Sequence, residues 1–347
     1  MADVSGRRLA MELIIGSVIA AGCGLDESDV AVVAQRSDRT VTATVTPTPS
    51  DDSTPSDVPI GESSPGRQDS VEDAATTSTP PVTDELLDEL QESGFCDPVD
   101  VEDEGTVTAM HFVVQGVPQA PCYAEPPGEQ DARLLDAWEL LTAITPNELV
   151  DDISLLAGYE GCSGCDTLAF VAALDDEASF FLLAVDVVAG ADDPDELRLT
   201  MMHELTHVFA QEPGVQLIVQ DDAPDCATYF NGAGCFTDSS YMWAWIQEFW
   251  SSDELAGLPA DGSPDDERDA ERRCRMDPGY IGPYAAVHPE EDFAETFSAY
   301  VYDVEADPAL QEKLAFFDGY PEFVAIRENA RALELSGTES NFGGCGS

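Results

Sequence analysis

The sequence predicts an α+β fold in which a small sheet packs on one long helix and a mainly helical part follows. Two apolar runs of strand length, 167–174 and 179–188, flank a short acidic turn and predict a hairpin. The next apolar segment, 197–209, is preceded by Asp193-Pro194, a capping residue and a proline suited to a first helical turn. Further helices are predicted before the hairpin, at 130–145, and after the apolar segment 197–209, at 239–250, 289–302, 308–317 and 321–335.

The charge of the chain argues against one class of function. Its 347 residues include 14 Lys and Arg against 70 Asp and Glu, for a formal net charge of −56. Nucleic-acid binding needs a basic footprint that neutralises phosphates, so we expect no nucleic-acid partner. The same charge suits a protein that stays soluble at high ionic strength, where self-repulsion is screened, and it favours a salty habitat.

The first residues predict export and a lipid anchor. Arg7-Arg8 precede an apolar stretch at 13–21 that is too short to span a membrane and is typical of a signal peptide. Small residues stand directly before Cys23, as in a bacterial lipobox. We therefore expect residues 1–22 to be a lipoprotein signal peptide and Cys23 to be lipidated, with ordinary secretion as the alternative. Residues 23–82, rich in Thr, Ser, Pro and Asp, predict a disordered tether before a domain at 83–347.

The cysteine count agrees with export. Removing Cys23 from nine cysteines leaves eight, an even number suited to four disulfides in an oxidising compartment. Sequence alone does not fix connectivity, and chain order suggests the pairs Cys96–Cys122, Cys162–Cys165, Cys226–Cys235 and Cys274–Cys345.

The most informative motif is H-E-x-x-H at 203–207. The chain has four histidines, and two of them, His203 and His207, lie four residues apart in the predicted helix. Four helical residues turn through about 400°, so both imidazoles project from one face and can hold one metal ion. Glu204 lies about 100° around the helix from His203, where a general base for water at the metal belongs.

A site with two histidines still lacks a third protein ligand. No third histidine follows His207 closely, and the better candidate lies in the helix predicted at 289–302. Glu291 and Glu295 form an i,i+4 pair there, of which one carboxylate can bind the metal while the other accepts a hydrogen bond from a ligating histidine. Catalytic zinc sites use three protein ligands, and Glu290, Asp292 and His288 are the alternatives nearby. The remaining histidine, His111, stands in a strand-like run and is expected to be structural.

H-E-x-x-H followed at a distance by E-D-F-A-E at 291–295 resembles the gluzincin metallopeptidases, in particular bacterial secreted or lipoprotein zinc peptidases. The resemblance is specific at these two short segments and covers roughly 134–303. It implies a zincin-like fold and one zinc ion per chain. The site residues it implies are the zinc ligands His203, His207 and Glu291, the base Glu204, a hydrogen bond from a ligating histidine to Glu295, and Tyr284 as oxyanion stabiliser, with Tyr280 and His288 as competitors.

The function that follows is zinc-dependent hydrolysis of a peptide or protein substrate at the cell envelope. The alternative is an inactive, surface-tethered binding or structural lipoprotein that retains the fold. The complete motif favours the enzyme, because an inactive site has no chemical need of the base. Elsewhere, we expect the aromatic residues of 239–250 to be core, 221–238 to be a loop pinned by Cys226–Cys235, and 261–273 to be a charged surface segment or a lid.

Overall fold

The computed structural model describes residues 104–124, 128–162, 167–174, 178–220, 226–259 and 262–345. The predictions for the signal peptide, Cys23, the tether and Cys96 lie outside these ranges. Within them, no helix has the length and apolar character needed to cross a membrane.

A five-stranded mixed sheet forms one layer of the fold, with the strand order β2-β1-β3-β5-β4. Strands β3 and β5 are parallel, and the other neighbouring pairs are antiparallel. The predicted hairpin is β4–β5, but it forms one edge of this sheet, which is larger than the small sheet we expected. The strands are β1 (Gly105–Val114), β2 (Val117–Ala124), β3 (Ile153–Gly161), β4 (Ala169–Ala173) and β5 (Phe181–Asp186).

The sheet buries apolar side chains on both faces. Along β5, Phe181, Leu183 and Val185 belong to the main core, whereas Leu182 and Ala184 belong to a second cluster on the opposite face. All six residues of β5 are buried. This is why the segment is a continuous apolar run without the alternation of a half-exposed strand.

The helices carry most of the remaining structure, which confirms an α+β fold. The described residues contain α1 (Glu129–Ile144), α2 (Ala189–Asp192), α3 (Pro194–Ala210), α4 (Tyr241–Phe249), α5 (Ser252–Leu255), α6 (Glu267–Met276), α7 (Pro289–Val301), α8 (Gln311–Phe316) and α9 (Pro321–Ala332). The helix predicted before the hairpin and the four predicted after the motif helix are thus confirmed. The segment 308–317 begins with a 3-10 turn at Pro308–Leu310.

Helices α3 and α7 pack against each other in the centre of the domain. The α3 helix begins as predicted, because the Asp193 side chain accepts a hydrogen bond of 3.2 Å from the Glu196 amide and Pro194 fills the first position. In α7, Phe293 and Phe297 are fully buried. Trp245 of α4 stacks edge-on against Phe293, so the prediction that the α4 aromatics form core is confirmed at its centre.

Two segments contain secondary structure that the sequence did not predict. The charged segment expected as a surface or lid at 261–273 contains the start of α6, whose Ala270 and Cys274 face the core one turn apart. The loop expected at 221–238 carries β7 (Gly234–Phe236), which pairs with β6 (Leu217–Val219) in a second, two-stranded sheet.

Two of the four expected disulfides are confirmed, Cys226–Cys235 and Cys274–Cys345. Cys162 is also disulfide-bonded, but its expected partner Cys165 lies outside the described residues, as does Cys96. The pairs that involve these two cysteines stay predictions.

Candidate metal centre

The motif helix places its two histidines on one buried face. Every residue of α3 from Met201 to Ala210 is buried, because this end of the helix lies between the sheet and α7. His203 and His207 lie one turn apart, and their Nε2 atoms are 3.0 Å from each other. Both side chains are about nine-tenths buried, with exposed fractions of 9% and 10%.

The third member of the cluster comes from α7. Glu291 is completely buried, and its Oε2 atom lies 3.0 Å from Nε2 of His203 and 3.4 Å from Nε2 of His207. These three residues form a cluster able to hold a metal ion, the one such group of His, Cys, Asp or Glu in the part of the chain that the structure describes.

The cluster fits a tetrahedral ion. Both carboxylate oxygens of Glu291 are buried without a hydrogen bond of normal geometry to the described residues, and Oε2 faces the two ring nitrogens. A buried anion in such a place is favoured by a nearby positive charge. In a tetrahedral site with bonds of about 2.0–2.1 Å, ligand atoms lie about 3.3–3.4 Å apart. The three observed separations of 3.0, 3.0 and 3.4 Å come close to this spacing, so a metal ion would satisfy all three atoms.

The electrostatics of the metal-free cluster are dominated by Glu291. Burial lowers the pKa of His203. Burial acts in the same direction on His207, but the Glu291 carboxylate outweighs it and raises the pKa of His207 to about 9. Burial also opposes ionisation of Glu291, yet the two histidines hold its pKa well below the usual range. His207 and Glu291 therefore favour each other's charged forms.

Glu204 stands beside the cluster and is held by the sheet. Its Oε2 atom accepts a hydrogen bond of 3.1 Å from the Val171 amide of β4. Burial raises the pKa of Glu204 to about 8, which the positive charge of His207 only partly offsets. The carboxyl group is therefore oriented by a main-chain donor, and its burial favours the protonated form while no metal is present.

Metal binding is expected to release protons. Below pH 8 the metal-free site holds one proton on His207 and one on Glu204, since their pKa values are about 9 and about 8. A dication displaces the first and favours ionisation of the second, so about one to two protons should leave at pH 7 and zinc affinity should rise between pH 6 and 9. Titration calorimetry in two buffers of different ionisation enthalpy measures the number directly.

The Glu204→Gln variant provides the matched control for that titration. It cannot release the second proton, so its proton count should be lower by up to one while the metal still binds. A wild-type zinc affinity that does not change between pH 6 and 9 would contradict the assignment of His207 as a protonated ligand.

Tyr284 is the tyrosine that reaches the cluster. Its ring centroid lies 5.7 Å from that of His203, and burial, followed by the negative charge of Glu291, raises the pKa of its phenol well above the usual value. Tyr284 therefore keeps its proton and can act as a donor. The two competitors lie elsewhere: the Tyr280 hydroxyl donates to Glu254 over 3.1 Å, and His288 caps α7 and contacts the Tyr229 hydroxyl.

Glu295 follows Glu291 by one turn and is buried. Its Oε2 atom has no hydrogen-bond partner among the described residues, and the amide of Ala285 bonds to the carboxyl group. Burial and the nearby negative charge of Glu291 raise its pKa well above the usual range. The structure brings Glu295 next to the cluster, and its hydrogen bond to a ligating histidine stays a prediction.

The alternative ligands have other partners. Glu290 accepts hydrogen bonds of 2.9 Å from Gln211 and from Asn231, so it ties α7 to the end of α3 and to the loop before β7. Asp292 is completely buried and is bound by the ammonium group of Lys313 over 2.7 Å at both carboxylate oxygens.

The Asp292 anion has two further donors. The indole nitrogens of Trp245 and Trp250 each donate to its Oδ2 atom over 3.0 Å. None of these donors belongs to the metal cluster. The place of Asp292 in the chain next to Glu291 thus serves to anchor the start of α7.

Removing the positive partner of Asp292 should be costly. In Lys313→Met the buried carboxylate keeps its indole donors but loses its counter-charge, and breaking a buried pair from one side costs about 3–5 kcal/mol. We expect the free energy of unfolding, measured by urea titration of the metal-loaded protein, to fall by this amount. Arg275→Met is the control, because Arg275 and Glu271 are both more than half exposed and such pairs contribute about 0–1 kcal/mol. Equal losses in the two variants would contradict this account.

His111 lies apart from the cluster, as expected. It sits on β1, where Nε2 is 2.5 Å from Asp131 of α1 and Nδ1 is 2.8 Å from the Gln119 carbonyl oxygen. The residue joins a helix to the sheet.

Comparisons with protein-family models, curated proteins and solved structures give no match to this chain. The interpretation of the site consequently depends on its own geometry and chemistry.

Proposed function

We propose that this chain is a zinc-dependent peptidase of the gluzincin type with a zincin-like fold. The observation that carries the proposal is the placement of Glu204, a buried and oriented carboxyl group, beside the His203–His207–Glu291 cluster. Two imidazoles and one carboxylate are a ligand set used by catalytic zinc, with one coordination position left for water or substrate. One zinc ion per chain is proposed.

Each residue of the site then has a defined task. Zinc, when bound, would act as a Lewis acid that polarises a carbonyl oxygen and lowers the pKa of water. Glu204 takes a proton from the attacking water as its oxygen bonds to the peptide carbon, and delivers that proton to the amine as the carbon–nitrogen bond breaks. Tyr284 donates its phenolic proton in a hydrogen bond to the developing oxyanion.

The position of β4 favours a peptide substrate. Among the described strands, β4 is an edge strand. The backbone N–H and C=O groups of its even-numbered residues point toward β5, as the main-chain hydrogen bonds of Leu168 and Leu174 show. The odd-numbered residues direct their backbone groups outward. The outward amide of Val171 is the one that bonds to Glu204. An extended peptide pairing with this edge would run past the metal cluster.

The proposed setting is outside the cytoplasm. Lipidation of Cys23 would anchor the domain to a bacterial membrane, and residues 23–82 would extend it from the surface. Disulfides such as Cys226–Cys235 persist in oxidising compartments, which supports export. The proposed substrate is a peptide or protein rather than a nucleic acid, in keeping with the net charge of −56.

A peptide library tests the proposal. The full chain is loaded with zinc and incubated with mixed peptides, and new termini are identified by mass spectrometry. We expect cleavage that stops when a chelator removes the metal and returns when zinc is restored. Glu204→Gln is the control for contaminating proteases. Identical cleavage patterns in the wild type and this variant would overturn the proposal.

A further inference from the structure

The loop 281–287, which carries Tyr284, is held by two elements outside the metal cluster. The first is α6. The guanidinium group of Arg273 donates to the Ala286 carbonyl oxygen and, over 2.7 Å, to Asp265. The amide of Asp265 in turn donates to the Val287 carbonyl oxygen over 3.0 Å. These bonds fasten the later half of the loop.

The second element is the tail at 337–345. Its start is fixed to the end of α7, because the Gly337 amide donates to the Tyr302 carbonyl oxygen over 2.8 Å. Further along, the Asn341 amide donates over 3.1 Å to Glu196 in the first turn of α3. The tail therefore runs from the end of α7 to the first turn of α3, the two helices that supply the metal cluster.

The tail is in close backbone contact with the Tyr284 loop at Gly282. A Cβ atom added to Gly282 would lie 2.0 Å from the carbonyl oxygen of Phe342 and 2.9 Å from its carbonyl carbon. Real Cβ atoms do not come this close to backbone, so the contact needs a glycine. The side chains of Phe342, Cys345 and Tyr284 pack on the same core.

The disulfide Cys274–Cys345 joins these two elements. Cys274 directly follows Arg273, so the bond holds the end of the tail on the same part of α6 that binds the loop. The proposed role of Tyr284 in the reaction requires that its backbone be held in place. The two elements and the disulfide supply that support.

We propose that the tail 337–345, fastened by Cys274–Cys345, is a strap that positions Tyr284 beside His203 for the reaction. This inference rests on the proposed function for its catalytic consequence. Phe342 and Gly282 are positioning residues, which act through Tyr284. Displacing the strap lowers turnover and leaves the metal in place, because His203, His207 and Glu291 are held by α3 and α7.

The test uses the zinc-loaded full chain with Gly282→Ala, and Gly128→Ala as the matched control. Gly128 is exposed and has φ of −65°, and none of the described atoms lies within 4 Å of its added Cβ, so the same methyl group meets no steric conflict with them. For Gly282→Ala we expect kcat to fall about 10- to 100-fold, as a misplacement of about 1 Å can cause. KM should change little and zinc content should not change.

Two readouts separate positioning from general damage. In a Tyr284→Phe background, Gly282→Ala should cause no further loss of kcat, and an equal loss in both backgrounds would overturn the strap. Hydrogen exchange of 281–287 should quicken in Gly282→Ala and in Cys274→Ala/Cys345→Ala, while exchange in α3 stays unchanged. Unchanged exchange in the loop of both variants would overturn it as well.

These outcomes also distinguish the two proposals. A wild-type protein without hydrolytic activity defeats the proposed function, and hydrogen exchange still decides whether the tail restrains the loop. An active wild type with additive effects of Gly282→Ala and Tyr284→Phe defeats the strap alone. Should Gly282→Ala fail to fold, the variant without the disulfide carries the same measurements.

Discussion

Replacing Glu204 by glutamine is expected to abolish most hydrolysis while the metal stays bound. Glutamine keeps the shape of the side chain and can still accept the Val171 amide hydrogen bond, but it cannot take a proton from water. General base catalysis contributes about 10²- to 10⁴-fold, so kcat/KM should fall within that range. Zinc content by elemental analysis should equal that of the wild type.

Glu212→Gln is the matched control for this substitution. Glu212 lies just beyond the end of the same helix and is exposed. The same change there should leave kcat/KM unaltered. Turnover retained by Glu204→Gln would refute the assignment of Glu204 as the base, whatever the metal content.

Replacing Glu291 by glutamine is expected to have the largest effect on the metal. The substitution removes the negative charge that faces both ring nitrogens at 3.0 and 3.4 Å. Loss of a direct ligand should weaken zinc binding beyond the roughly 10- to 100-fold that loss of an outer hydrogen-bond partner costs. Since a ligand present at about 1,000 times its Kd stabilises the folded state by about 4 kcal/mol, zinc should also raise Tm less in the variant.

Glu290→Gln makes the same chemical change at the neighbouring position. Glu290 faces Gln211 and Asn231, so its loss of charge should leave zinc affinity within a few-fold of the wild type. Competition with a chromogenic chelator measures both affinities. A larger loss of zinc affinity in Glu290→Gln than in Glu291→Gln would show that Glu291 is not the third ligand.

The parts of the site that lie close together in sequence could be predicted from it. His203, Glu204 and His207 share one helix, and the helical repeat alone determines their relative directions. Glu291 lies on another helix, so its position depends on how α3 and α7 pack. Its prediction came from a resemblance, and the structure brings it to the cluster. The roles of Glu204, Tyr284 and Glu295 remain predictions.

The contacts that orient the site could not be predicted in this way. The donor to Glu204 is the main-chain amide of Val171, which no side-chain pattern can reveal. The contact of Gln211 with Glu290 is different. Gln211 follows His207 by about one helical turn, so a search for polar residues on the same face could have found it. The roles of Lys313 and the two indoles in binding Asp292 depend on packing among α4, α7 and α8.

The fold was predicted well where apolar residues are continuous and poorly where composition obscures the pattern. Strand β2 contains Pro118 and Pro121, which weaken any strand signal, and it tolerates them because it is an edge strand of the sheet. Helix α6 is mostly charged, and only Ala270 and Cys274 mark its buried face. A short local pattern of this kind does not separate a helix from an exposed loop.

Metal content tests the central claim most directly. The full chain and its His207→Ala variant are purified, supplied with zinc, dialysed and measured by elemental analysis. We predict about one zinc per wild-type chain and essentially none in the variant, since only two ligands remain. A wild type that holds no zinc, or a variant that holds as much as the wild type, would contradict the metal centre formed by His203, His207 and Glu291.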